Sequence, residues 1–542
     1  MSTNISKQKR EDLLNKIKAI RAFISAAPQD ENTGNLLSYL SDLEKDVNGK
    51  KYGLVFEEHR EEIDEVLDTH TPVLTENKDL FIDNGGQMHF LIEGDNLASL
   101  KLLEKTHKGK IDLIYIDPPY NRGKQDFIYD DNYIETEDTF KHSKWISFMR
   151  CRLNIAKRLM QKHACIFISC DDNEVASLRL LCDEIFGERN FQGHIHWRRR
   201  HNQPNDKTKL IALVTEHILV YSKDKDEHKK YGVGKVNVTG KFSNPDNDPR
   251  GPWASKPWKS GSNQSGCKYT IISPTGKRFD EEWLGDEATF YALRQDDRII
   301  FPNGGNGSPR KKYFQFEREE EGQCATNWWP NNLFGCNQDA TDELKAIFNG
   351  ICPFDNPKPT KLIKSIINLG FVGNHGVILD FFAGSGTTGD AVMQLNASGN
   401  KHSFILCTNN ENNICRDVTY ERIKRVIDKE GYAASLKYYK VEYVPISDRL
   451  YYEYADELLK HIRELVELEN GINFTGNAEI AIVLTEEELA DFVNHLDELT
   501  RCKKLYMGHD LLPTGEQEEA LQSHDIQISI IPDYYYRDLQ ER

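Results

Sequence analysis

Four consecutive residues, Asp117-Pro118-Pro119-Tyr120, follow directly on the run Ile111-Asp-Leu-Ile-Tyr-Ile116. A buried strand that stops at a stiff turn puts side chains at the carboxyl end of a sheet, where open α/β folds bind ligands. Each proline fixes φ and lacks a donor, so the turn is rigid. An exocyclic amine such as adenine N6 is a poor nucleophile, because its lone pair is delocalised into the ring. A carboxylate and a fixed backbone carbonyl that accept its two hydrogens localise that pair toward a methyl donor. Asp117 and the proline carbonyls can be those acceptors, and Tyr120 offers a flat face for a base taken out of its stack. The same tetrapeptide also serves as an ordinary surface turn, and the strand before it is what argues for a site.

A second segment, Val377-Ile-Leu-Asp-Phe-Phe-Ala-Gly-Ser-Gly-Thr-Thr-Gly389, reads as a strand, a tight turn and a helix start. Glycines let the backbone approach a ligand, and free N–H groups at a helix N-terminus favour a carboxylate or phosphate. Gly384, Gly386 and Gly389 satisfy GxGxxG, and an acidic residue follows at Glu411. This segment alone does not separate NAD from S-adenosylmethionine. It excludes a Walker A loop, since no Gly-Lys-Ser/Thr ends it. The Asp-Pro-Pro-Tyr turn favours the methyl donor, because a dehydrogenase has no use for it.

The elements that must hold these segments alternate. Phe90 to Asp95 is a short strand and turn, Asn96 to Lys105 a helix, Trp145 to Met160 an amphipathic helix and Ala164 to Ser169 a strand. After a break, Lys361 to Leu369 reads as helix, Ser403 to Cys407 as strand and Thr419 to Ile427 as helix. Such alternation predicts an α/β fold with a mostly parallel, doubly wound sheet. The 542 residues predict several folding units: a helical N-terminal region (1–85), a catalytic half (86–235), a Trp-rich insertion (236–350), a cofactor half (351–440) and a small acidic α+β module (441–542). That last module is expected to comprise helix Glu453 to Glu467, strand Glu479 to Leu484, helix Glu486 to Leu499 and strand Ile526 to Ile531.

Charge is distributed unevenly. The net charge is −17, yet residues 198–312 carry 22 Lys and Arg against 14 Asp and Glu, while residues 441–542 carry 8 against 23. Neutralising phosphate needs local cations, so the basic island is the candidate nucleic-acid surface. Its clusters are Arg198-Arg199-Arg200, Lys256 with Lys259, and Arg310-Lys311-Lys312, interleaved with Trp and with Asn- and Gln-rich loops. The eleven cysteines form no CxxC pair, which argues against structural disulfides and, with no signal-like or 18-residue apolar stretch, for a cytoplasmic protein without a membrane span. Cys165, Cys170, His194 and His196 show no metal-ligand spacing, and no metal is expected.

In their order, Asp-Pro-Pro-Tyr and then Phe382, Gly384 and Gly386 resemble the β-class amino-methyltransferases. Further segments resemble the modification subunits of Type III restriction–modification systems: Lys51 to Glu58, Glu93-Gly-Asp-Asn-Leu97, Asn121, Phe167 to Glu174, Pro357-Lys358-Pro359 and Ile531 to Tyr536. The resemblance implies an S-adenosylmethionine-dependent methyltransferase sheet and transfer to adenine N6 in double-stranded DNA by base flipping. It implies target recognition in the inserted region, a homodimer, and a helicase–nuclease restriction subunit as partner. Asp117, Pro118, Pro119 and Tyr120 would hold the base. Asp380, Phe382, Ala383, Gly384, Ser385, Gly386, Thr387, Lys358 and Pro359 would contact the cofactor, with Asp95 and Glu411 as further candidates. Phe381 stands where the family often has Pro, and Thr408-Asn-Asn-Glu411 delays the acidic residue expected after its strand. Cytosine N4 or protein glutamine as acceptor, an enzyme without a nuclease partner, and a mainly DNA-binding specificity subunit are the competing readings.

Overall fold

The computed structural model describes residues 5–26, 33–48, 57–122, 128–129, 132–133, 140–446, 458 and 460–531, apart from 204, 206, 209, 237–239, 263, 475–476 and 509–510. The chain divides after His59. The first unit contains two helices, Ile5–Ala26 and Thr33–Asn48. Ile17 and Leu40 are buried, and Arg21 bonds Ser41 (3.0 Å) and pairs with Glu44 (3.1 Å). Most of the Lys51–Glu58 motif, and the tail motif after Ile531, lie outside the described residues.

The second unit is built on a ten-stranded sheet. In chain order its strands are β1 His70–Glu76, β2 Gln87–Glu93, β3 Ile111–Ile116, β4 Met160–Cys170, β5 Phe191–Arg198, β6 Thr215–Ser222, β7 Trp328–Trp329, β8 His375–Asp380, β9 Lys401–Thr408 and β10 Ala434–Pro445. Their spatial order is β1-β10-β2-β9-β8-β3-β4-β6-β5-β7. From β10 through β4 every neighbour is parallel, while β1, and β6 against both β4 and β5, run antiparallel. All six residues of β3 are buried, which is why the sequence reads as continuous hydrophobicity there and not as alternation.

The two halves of the chain meet between β8 and β3, paired parallel at Ile378↔Leu113 and Leu379↔Ile114. From β3 the chain crosses to β4 through helix α1, Lys141–Leu159, and from β8 it crosses in the other direction to β9 through helix α2, Thr387–Ala397. The strand order therefore reverses at this point, which opens a crevice beyond the carboxyl ends of β3 and β8. The Asp-Pro-Pro-Tyr turn and the glycine turn leave from those two ends.

Three strands differ from the sequence expectation: β7 comes from the expected insertion (236–350) yet pairs in parallel with β5 at the edge of the main sheet. β1 lies in the stretch expected to be helical, and its Thr-Pro-Val-Leu core gives no clean alternation. Pro72 is compatible with its position because β1 is an edge strand. β10 crosses the expected boundary at 440/441 and is an inner strand, held by Lys437, whose buried ammonium pairs with Glu467 (2.6 Å) and Glu76 (2.9 Å).

The insertion has a three-stranded sheet (Ile299–Ile300, Arg310–Phe314, Trp253–Pro257), a hairpin (Cys267–Ile272, Arg278–Trp283) and a core of Trp258, Ile271, Trp283, Phe290 and Ile299. The acidic module is a parallel three-stranded sheet, Ile480–Val483, Lys504–Met507 and Gln527–Ile530, with helices Glu486–Asn494 and Gly515–Ser523. Its middle strand is an addition to the expected elements, and where a helix from Glu453 to Glu467 is expected the described helix is Ile462–Asn470. No helix of the described residues is long and apolar enough to cross a membrane. All eleven cysteines are free thiols.

Candidate active site

Asp117 emerges from β3 into a compact network. One carboxylate oxygen accepts the Tyr120 hydroxyl, and the other lies 2.6 Å from Lys358 Nζ. Lys358 Nζ also stands 3.2 Å from the Tyr120 hydroxyl and 3.3 Å from Glu216 Oε2. Arg199 Nη1 donates to the other Glu216 oxygen at 2.9 Å. The result is an ion chain Arg199–Glu216–Lys358–Asp117, assembled from β5's end, β6, the Pro-Lys-Pro segment and β3's end. Burial opposes charge on Lys358, but Asp117 and Glu216 outweigh it, and the ammonium's pKa is raised. Burial, then the neighbouring Asp117, pushes the Tyr120 phenol well above its ordinary range.

The turn is braced from behind. Trp145 Nε1 on α1 donates to the Pro119 carbonyl at 2.7 Å. Asn121 adopts a left-handed φ of 57°, which asparagine tolerates better than most residues. Its Nδ2 donates to Glu174 Oε1 (2.6 Å) and to the Lys141 carbonyl (3.1 Å). Arg122 pairs with Asp171 at 3.0 Å and lies 4.9 Å from the Tyr120 ring centroid. The Phe167–Glu174 motif is thus the buttress of the Asp-Pro-Pro-Tyr turn. Tyr120 is buried, so using its ring to stack a base would require Arg122 to move aside.

The glycine turn forms the facing wall. Gly384 and Gly386 have φ of 48° and 72°, a region where an L side chain is strained. A Cβ on Gly384 would also sit 2.9 Å from Phe354. Gly386 is the N-cap of α2. Asp380 accepts the Phe382 N–H (3.0 Å) and the Thr388 hydroxyl (2.5 Å). Buried Arg422 clamps the turn from beneath, bonding Thr387 Oγ1 (2.8 Å) and Asp390 (2.9 Å). Thr419 donates to the Gly384 carbonyl at 2.6 Å.

Between the walls lies a cleft of about 170 Å³, whose lining includes Asp117, Lys358, Asp380, Phe382, Ala383, Gly384, Ser385 and Thr387. Lining residues that the sequence did not single out are Tyr115, Phe354, Asn356, Thr388 and Thr408. Thr408 could have been found, because it ends the next parallel strand, β9. The Asp380 carboxylate, several hydroxyls and a helix N-terminus in one cleft suit a ligand that is cationic at one point and carries a carboxylate at another, which describes S-adenosylmethionine.

Of the expected cofactor contacts, Pro359, Gly386, Asp95 and Glu411 are not part of this lining; Pro359 and Gly386 are chain neighbours of Lys358 and of Ser385 and Thr387, which are. Asp95 caps its helix, accepting from Leu97 N (2.7 Å) and Ala98 N (3.1 Å). Glu411 is exposed and accepts from Asn409 at 2.8 Å.

Burial raises the Asp380 carboxyl to about 7, against the lowering effect of its hydrogen bonds. The protonated form is therefore favoured below that pH, and a cationic ligand in the cleft favours the ionised form. Affinity for S-adenosylmethionine should climb as pH rises toward about 7 and level off above it. Calorimetric titrations across this range on the native chain and on Asp380→Asn check this. A native profile as flat as the variant's would refute the assignment.

The basic clusters separate into different roles. Arg199 belongs to the buried ion chain and is not a free phosphate contact. Lys312 is buried and saturated by Asp246 (2.5 Å), Asp248 (3.0 Å) and Asp297 (3.2 Å). The three aspartates raise its pKa although burial opposes this. The expectation that Lys312 binds DNA is therefore corrected: no valence is left for a phosphate. Arg310 is held by Ser255. Lys259 pairs with Glu281 at 2.8 Å, and Arg198 turns back onto the Arg200 and His201 carbonyls. Lys256 and Arg200 are exposed, and Lys311 is half-buried. Lys312→Ala should leave Asp248 without its cation beside Asp246 and Asp297 and lower the melting temperature, whereas Lys256→Ala, which loses only a surface contact over the Tyr313 ring, should change melting little and reduce the salt slope of DNA binding. Thermal melts and salt-dependent binding separate the two. An unaffected melt for Lys312→Ala would contradict the buried cluster.

Residues 111–420 match the family described as DNA methylase (N6_N4_Mtase). The chain belongs to that family. Among curated relatives of this DNA methylase, it is 34% identical to the Type III restriction-modification enzyme StyLTI Mod subunit of Salmonella typhimurium, over 64% of this chain and 56% of that protein. It is 31% identical to the EcoP15I Mod subunit of Escherichia coli, over 60% and 59%. To the Type II methyltransferase M.KpnI of Klebsiella pneumoniae it is 33% identical, over 58% and 79%. The chain thus spans less than two thirds of the Type III relatives' length. Among solved structures, a putative DNA modification methylase from Thermus thermophilus, complexed with S-adenosyl-L-methionine, is 15% identical and covers 65% of this chain and 99% of its own, with a TM-score of 0.32.

Proposed function

We propose that this DNA methylase transfers a methyl group from S-adenosylmethionine to N6 of adenine at a short DNA site, as the modification and recognition subunit of a Type III restriction–modification system. The observation that carries the reading is the shared cleft. A base-holding turn led by Asp, and a glycine turn, leave the carboxyl ends of adjacent parallel strands at the point where the strand order reverses.

S-adenosylmethionine, when bound, supplies an electrophilic methyl group on a sulfonium. The chain's own residues do the rest. Asp117 accepts one amino hydrogen of a flipped adenine, and the Pro118 carbonyl accepts the other, since Trp145 already ties up the Pro119 carbonyl. Asp117 can do this while still accepting from Tyr120 on one oxygen and Lys358 on the other, because a carboxylate offers about four lone-pair sites. Glu216 keeps the Lys358 ammonium paired while that happens. As the nitrogen becomes positive, the Asp117 carboxylate stabilises it before the proton leaves to solvent. Positioning and fixed charge carry the rate, and no covalent intermediate on the protein is required.

Double-stranded DNA, a second copy of the chain and a helicase–nuclease subunit are the partners of this reading, and the cytoplasm its place of work. Support comes from the matching Type III Mod subunits and from the basic island between the halves. Nucleoside mass spectrometry of plasmid methylated by the protein tests the chemistry. N6-methyladenine is expected, and N4-methylcytosine would overturn the adenine assignment.

A further inference from the structure

Three histidines converge on the sheet face opposite Glu216. His194 and His196 are two apart on β5 and so share a face. His217 on β6 is the direct cross-strand partner of His196. A ring nitrogen from each lies within 4.8 Å of the others. His194 Nε2 and His217 Nδ1 are 2.9 Å apart, and the His194 and His196 rings stack with centroids 4.4 Å apart. The other nitrogen of His217 meets Asp172 Oδ1 at 3.0 Å. Asp172 belongs to the Phe167–Glu174 buttress. His217 is buried, while His194 and His196 are half-buried, so the cluster can be reached from solvent.

We propose that His194, His196 and His217 form a binding site for one divalent transition ion, zinc by the chemistry of its ligands. Three imidazoles with an open fourth position are a ligand set that zinc takes, at bonds of about 2.0–2.1 Å. Tetrahedral bonds of that length separate the ligand nitrogens by about 3.3 Å, so the His194–His217 pair needs to open by only a few tenths of an ångström. The ion takes the place of the proton shared by those two nitrogens. The Asp172–His217 contact supplies a feature usual in real sites: a carboxylate that fixes the ligand's tautomer and ring orientation from behind. A bound ion would tie β5, β6 and the buttress loop together, one residue from Glu216 and its ion chain.

The full chain, freed of metal with a chelator and then dialysed, is titrated with Zn(II) against a chromophoric competitor, and separately with Co(II) followed by visible absorption. One equivalent per chain is expected, with the intense visible bands of tetrahedral Co(II). His194→Ala and His217→Ala should each weaken Zn(II) binding at least a hundredfold, and Asp172→Asn roughly 10–100-fold. His495→Ala, in the acidic module, should leave it unchanged. Absence of stoichiometric binding by the native chain, or binding undiminished in the His194→Ala/His217→Ala double variant, overturns the proposal. So does a weakly absorbing, oxygen-ligated Co(II) spectrum in the native chain, which decides the matter even where a variant fails to fold.

Discussion

Asp117→Ala abolishes measurable methyl transfer while leaving S-adenosylmethionine affinity close to that of the native chain. The carboxylate acts on the amino group of the base, so its loss removes an interaction that strengthens as positive charge develops on nitrogen. Removing one such preorganised group costs roughly 10²–10³-fold in rate, and more here, because the same side chain also orients the base. The fold should survive. Lys358 keeps Glu216 at 3.3 Å, and Tyr120 keeps Lys358 at 3.2 Å. Asp117→Asn retains one acceptor oxygen without the charge and should be intermediate. Single-turnover methylation at saturating cofactor, paired with calorimetric titration, separates the two effects. If Asp117→Ala lost cofactor binding in proportion to rate, the carboxylate's role would lie in the cofactor half of the cleft.

The parts of this site legible in the sequence are those written in contiguous residues. A fully buried strand followed by two prolines announces its own end, and a strand, two left-handed glycines and a helix N-terminus announce a ligand-facing turn. Hidden from a linear reading were the contacts closed over long separations. Lys358 reaches Asp117 across 241 positions, and Glu216, its second carboxylate, carries no local signal. Arg199 looks like one third of a basic triplet, yet its partner is in the next strand. Lys312 looks like a phosphate contact until Asp246, Asp248 and Asp297 are folded around it. The three histidines needed the β5–β6 register to become a cluster. β1 was missed because an edge strand with a proline carries little of the alternation that marks a half-buried strand.

Gly386→Asp produces the opposite phenotype to Asp117→Ala: cofactor affinity falls by at least roughly a hundredfold, about 3 kcal/mol, and transfer recovers only as cofactor is raised. Gly386 has φ of 72° and is the N-cap of α2. A Cβ there would stand 3.3 Å from Thr419 Cγ2 and from the Thr419 carbonyl, and a left-handed L residue costs roughly 1–2 kcal/mol. Strain is the smaller part of the effect. An aspartate at an N-cap accepts hydrogen bonds from the second and third backbone N–H groups of its helix. In α2 these are Thr388 and Gly389, but such a cap needs an extended backbone, which Gly386 at φ 72° and ψ 18° does not have. The introduced carboxylate therefore acts by filling the turn and by setting a negative charge where an anionic end of the cofactor would meet the helix N-terminus. Gly386→Ala carries the Cβ and the strained φ without the charge, and should weaken binding far less. Calorimetry on both variants, with melting curves to show that the fold persists, provides the measurement. Near-native affinity in a folded Gly386→Asp chain would mean that the α2 N-terminus is not where the cofactor sits.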